Sequence, residues 1–185
     1  MKEMHYFISL EKELEDSFNY IEPENDNLKC YGAKFTSLLN SVSIEFESLS
    51  KALIKHHRPD AVVGNIGDIK KNLLELFPKI GENEVEITRI NECRYPFKEW
   101  ENGSKLEWWD AFTKIKHNRI KNYSLASLNK VFDAMAALIV IILYTGWLRD
   151  KNYHLKSSGI FWHKSMGTSL LAMGENLPDS KIEEQ

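Results

Sequence analysis

Hydrophobic positions recur at helical spacing through most of the chain. Phe7, Leu10, Leu14, Phe18 and Ile21, with charges between them, predict an amphipathic first helix that ends before Pro23 and the polar run 24–27. Phe35, Leu38, Leu39, Val42, Phe46, Leu49 and Leu53 form one stripe and predict a longer second helix. His56-His57-Arg58-Pro59 closes it, because the residue before a proline is pushed out of helical geometry. Ile66, Ile69, Leu73 and Phe77 predict a short third helix stopping at Pro78.

From Lys79 to Gly103 the periodicity is lost. Val85 and Ile87 alternate with Glu84 and Glu86 as a short strand would. The stretch as a whole reads as a long ordered connection pinned by Tyr95, Phe97 and Trp100. Ser104-Lys-Leu-Glu107 has the form of a capping box and opens a helix carrying Trp108, Trp109, Phe112 and Ile115. Ser124 is the expected cap of the last long helix, which runs through Leu128, Val131, Phe132 and Met135 to about Tyr144. Apolar all round near its end, it is expected to be the centre of the core. Gly159–Trp162 and Thr168–Met173 are expected to pack on the domain. The architecture expected is thus all-α, a single helical domain over residues 1–173 with a polar, disordered tail over 174–185.

Composition adds bounds rather than chemistry. A chain of 185 residues, 43% hydrophobic and 28% charged, suits one globular domain with a substantial core. A net charge of −3 gives no general attraction to nucleic acid or anionic membrane, so any phosphate contact has to come from a local patch. Cys30 and Cys93 lack the number and spacing of a disulfide framework or a metal site. They read as reduced thiols of a cytoplasmic protein. The N-terminus does not have the form of a signal peptide. Residues 134–148 carry no charge, but about 15 residues fall short of the roughly 20 that cross a bilayer, so a buried helix is expected and no membrane.

Positive charge, an imidazole and aromatic bulk meet in one place. Residues 114–121 hold Lys114, Lys116, His117, Arg119 and Lys121 with no acid among them, just after Trp108-Trp109. On a straight helix at about 100° per residue, Arg119 shares a face with Trp108, Phe112 and Ile115, while His117 points roughly 160° away, beside Asp110 and Lys114. The two cannot converge on one small ligand unless the helix ends near Asn118 or a second copy supplies one of them. With that condition met, His117 serves as general acid or base while Arg119 and Lys116 hold a phosphate. Asn118, Lys114, Lys121 and Trp109 complete the candidate RNA contacts.

Without it, Arg119 is a structural residue packed on the tryptophans. Glu45, at the edge of the second helix's apolar stripe, needs a partner for its carboxylate, and Arg119 is the expected one. His56-His57-Arg58 reads as a solvated helix end, and Arg149-Asp150 to His154 as a short pattern of the kind that arises by chance. No phosphate-binding glycine loop, zinc signature or serine-hydrolase elbow is present, and no metal or cofactor is expected.

One family resemblance rests on these residues. Tyr31 and Phe35 leading to Ser43-Ile-Glu45-Phe-Glu47, then Trp100, then WWDAFTKIKHNR and the Ala126–Tyr144 helix together resemble a group of bacterial helical proteins marked by tryptophan, Lys-His-x-Arg and an apolar helix. That group is similar to a divergent branch of the HEPN superfamily, over roughly residues 10–145. The resemblance implies an antiparallel bundle of four to five main helices. It also implies a dimeric, metal-independent ribonuclease of phage defence, toxin–antitoxin systems or stress response, with His117 and Arg119 at the site. The alternative it carries is a non-catalytic adaptor, regulator or antitoxin-like partner of another protein. In the usual HEPN nuclease motif an arginine precedes the histidine by four to six residues. Here His117 precedes Arg119, and only Arg149 and His154 stand in the usual order.

Overall fold

A computed structural model describes residues 2–149 and 158–163, with side chains to Gly146 and again from Ser158. Five long helices dominate the described residues: α1 (Lys2–Ser17), α2 (Ala33–His57), α3 (Ile66–Leu76), α5 (Glu107–His117) and α7 (Leu128–Arg149). Two single-turn helices, α4 (Lys98–Glu101) and α6 (Arg119–Asn122), lie between them. The α2–α7 pairing is the most extensive contact in the fold. Both α1 and α5 pack on the two of them, and α3 packs on α2.

The expected stripes are largely the buried ones, although α1 ends at Ser17 and leaves Phe18 and Ile21 of its expected stripe half-buried in the turn beyond it. Phe7, Leu10 and Leu14 of α1 and seven apolar residues of α2 from Phe35 to Leu53 are all nearly inaccessible. Every residue of α7 from Ala134 to Tyr144 is buried, which makes α7 the axis of the core, and the helix continues five residues beyond its expected end. Residues 128–146 are long and apolar enough to cross a membrane, and 83% of that window is buried inside the fold.

Three local expectations are corrected. The all-α reading is incomplete, because the chain also forms a small antiparallel sheet in the order β2-β1-β3, from Glu92–Arg94, Val85–Ile87 and Phe161–Trp162. The stretch 79–103 is therefore not a plain connection. It is a hairpin turning at Asn91, whose φ of 52° a short polar side chain tolerates, followed by α4. Phe97 and Trp100 pin it as expected, with Phe97 packed 6.0 Å from Phe46, whereas Tyr95 stays at the surface and binds Glu84 across the hairpin. Buried Asn83 ties the same stretch to α7, donating to the Tyr144 hydroxyl at 3.2 Å.

The caps also differ. Ser104 does not cap α5, which starts at Glu107 with Leu106 before it and no side-chain cap. The capping box instead sits at α3, where Asn65 and Asp68 each accept from the other's end of the first turn. Ser124 lies in a 3-10 turn (Tyr123–Leu125), and Ser127 opens α7 by accepting from the Lys130 amide at 3.4 Å.

Candidate functional site: a basic corner and two neighbouring pockets

The straight-helix geometry for residues 108–119 fails at Asn118. Its φ of −152° and ψ of 81° take it out of the helix, so α5 ends at His117. The Asn118 side chain then accepts from the Lys121 amide at 3.2 Å and opens α6. Asn122 locks the corner from below, donating to the carbonyls of Lys114 and Asn118, each at 2.9 Å.

The consequence for Arg119 is direct. It does not share the inward face of Trp108, Phe112 and Ile115, which are buried, but stands exposed at the start of α6. Lys114, Lys116, His117, Asn118 and Lys121 are exposed as well, and Trp109 is half-buried. The Lys116 ammonium lies 5.7 Å from the centre of the Phe112 ring, and Lys114 pairs with Asp110 at 2.6 Å. Among the described residues no ion pair or side-chain hydrogen bond engages His117 or Arg119. The break therefore leaves Lys116, His117, Arg119 and Lys121 all exposed around the turn from α5 into α6, a basic corner of the surface.

The expected Glu45–Arg119 pair does not form among the described residues. Glu45 is half-buried, and its carboxyl is held above the usual range by burial and then by the Glu3 carboxylate across on α1. The His56-His57-Arg58 end is a packed surface: the His57 ring lies 5.6 Å from Phe77, and burial lowers its pKa, helped by His56 and Arg58. The Arg149 side chain, His154 and the tail at 174–185 lie outside what the structure describes.

Three pockets border α5, none of them legible in the sequence: an open groove of about 510 Å³ at Lys105, Asp110, Lys114 and Lys130, and two smaller ones. One, of about 290 Å³, lies between β2, α5 and the start of α7, with Arg94, Glu99, Glu107, Lys130 and Asp133 around it. Arg94 bridges Glu92 at 2.7 Å and Asp133 at 3.6 Å, while Lys130 binds Glu107. Burial pushes the Asp133 carboxyl up to about 6, against the lowering effect of Arg94 and Lys130. The signal available in the sequence was Asp133 itself, the acid that borders the uncharged run of α7.

The second pocket, of about 280 Å³, opens between the N-terminal end of α3 and the outer face of α5. Trp100, Leu106, Trp109 and Ile66 give it apolar walls. Its polar lining includes Lys70, Lys105, Asp110 and Thr113.

No family model, curated protein or solved structure matches this chain.

Proposed function

We propose that this chain is a HEPN-like helical protein of bacterial defence or stress response. In this reading it acts in the cytoplasm, binds RNA through the corner at 116–121 and cleaves it without a metal as a homodimer. The observation that carries the reading is the helix break at Asn118, which sets His117 and Arg119 on one exposed basic corner. Five long α-helices, one of them buried at the centre, are in keeping with the bundle.

The chemistry asks for little more. A ribose 2′-hydroxyl attacks the adjacent phosphorus, the new O2′–P bond forms and the P–O5′ bond breaks. The products are a 2′,3′-cyclic phosphate and a free 5′-hydroxyl. One imidazole takes the 2′-hydroxyl proton and another protonates the departing 5′-oxygen, while Arg119 and Lys116 hold the phosphate charge. One corner supplies a single histidine, so two copies facing one strand complete the acid–base pair. Because the nucleophile belongs to the RNA, no cofactor enters the scheme.

The test is cleavage of end-labelled RNA by purified protein in chelator. We expect 5′-hydroxyl products and a loss of about 10²-fold or more in His117→Ala. Cleavage unchanged in both His117→Ala and Arg119→Ala would overturn the assignment.

One observation favours a second reading, a non-catalytic binding module. His117 has no described partner to fix its tautomer, as catalytic imidazoles usually have. That reading expects RNA or a partner protein to bind at the same corner with no turnover.

A further inference from the structure

We propose that the pocket between α3 and α5 is a nucleotide subsite, taking one unstacked base between its apolar walls with the attached phosphate at Lys70 and Lys105. The proposal rests on the RNA reading above for the strand that carries the base.

Size limits the occupant first. Small-molecule pockets generally enclose about 300–1,000 Å³, so a 280 Å³ pocket takes a body of one or two rings rather than a larger ligand. The walls select next. Two indoles, Trp100 and Trp109, with Leu106 and Ile66, favour a planar apolar surface. Polar atoms of Thr113 and Asp110 lie among them and suit the hydrogen-bonding edge of a base better than a plain hydrocarbon.

Charge sets the third requirement. Lys70 is held at the pocket by donating to the Ser104 carbonyl at 3.2 Å, and Lys105 is exposed with no ion pair among the described residues. The Asp110 carboxylate opposes them but is already bound to Lys114 at 2.6 Å. The mouth is therefore net positive and complements an anion.

Position links the pocket to the basic corner. At about 100° per residue, Trp109, Thr113 and Lys116 fall on one stripe of α5, with His117 at its end. Eight residues separate Trp109 from His117, or about 12 Å along the axis. A strand with one base in the pocket thus has its neighbouring phosphates running toward Lys116, His117 and Arg119. Pulling a base out of its stack is least costly in a single strand, which predicts preference for unpaired RNA.

The test uses an eight-nucleotide single-stranded RNA, the same strand with abasic sites, and free 5′-AMP, adenosine and inorganic phosphate. Binding is followed by anisotropy for the strands and by tryptophan fluorescence for the small probes. Thr113→Phe fills the pocket, and Lys70→Ala with Lys105→Ala removes its charge; thermal melting checks that both variants fold. We expect each variant, and the abasic strand, to lose at least tenfold in affinity. Saturable quenching by 5′-AMP, stronger than by adenosine and absent with phosphate, is expected too.

If the strand binds through Lys116, Arg119 and Lys121 but neither the abasic strand nor Thr113→Phe weakens it, the subsite is overturned and the RNA reading stands. Where 5′-AMP binds in a Lys70-dependent way and no strand binds, the pocket serves free nucleotide and the RNA reading falls. Failure of every probe overturns both.

Discussion

Arg94 on β2 reaches Asp133 in the first turns of α7, Nη1 to Oδ1 at 3.6 Å, and this contact joins the small sheet to the central helix at a polar edge of the core. The pair is not a strong one. The Asp133 side chain is 21% exposed, Arg94 is shared with Glu92, and burial keeps the carboxyl at about 6 rather than 3.8.

The pH dependence follows from that direction. The folded-state pKa lies above the unfolded value, so Asp133 favours the fold while protonated, and that contribution is lost as pH rises through about 6. Two pKa units correspond to on the order of 3 kcal/mol. Urea unfolding of the wild-type protein and Asp133→Asn across about pH 4 to 7.5 should show wild-type stability falling relative to the variant by roughly that amount. A pH-independent difference would contradict the assignment of a raised pKa to Asp133.

The exposed position of Arg119 separates binding from stability. Arg119→Ala should change unfolding free energy by no more than about 0.5 kcal/mol, the range for surface residues without special contacts. A larger loss would mean that Arg119 is a structural anchor after all. For RNA, each phosphate contact with a single strand contributes about 0.7 to the slope of log K against log salt. The combined Lys116→Ala, Arg119→Ala and Lys121→Ala variant should flatten that slope by about 2, and an unchanged slope would move the RNA surface elsewhere.

Glu11 is the hinge of a different prediction. It sits on α1, is only 6% exposed, and accepts from the Ile160 amide at 2.8 Å, the Gly159 amide at 3.2 Å and the Ser158 hydroxyl. These bonds hold the segment whose Phe161–Trp162 forms the outer strand β3. Glu11→Ala removes the acceptor of the Gly159 amide and leaves the Ile160 amide only its longer bond to Ser158 Oγ at 3.3 Å, at a cost on the order of 2 kcal/mol. Hydrogen exchange at Ile160 should speed up well before exchange in α2 or α7. Equal protection in variant and wild type would show that β3 is held by its strand pairing and Phe161 burial alone.

Much of this fold was legible because helical periodicity is a local signal. The stripes of α1, α2, α3 and α5 needed only spacing and the polarity of neighbours, and the uncharged run of α7 needed only its length. Caps were less legible: Ser104, Ser124 and Ser127 are equally good cap chemistry, and packing chose among them. Glu11 reads in sequence as one more charge on a polar face, because the donors it accepts from lie about 150 residues away.

The candidate site divides in the same way. Sequence alone determined that cationic side chains and an imidazole are concentrated at 114–121 beside two tryptophans, since composition over eight residues is independent of the fold. Whether His117 and Arg119 oppose each other or share a corner depended on the backbone at Asn118. One residue leaving the helix redirects every side chain after it, and periodicity carries no record of such a break. The partners of Arg94, Asp133, Lys70 and Glu11 were likewise settled only when distant segments packed together. Burial and pairing belong to the tertiary structure, whereas the stripes that drive it are written in the chain.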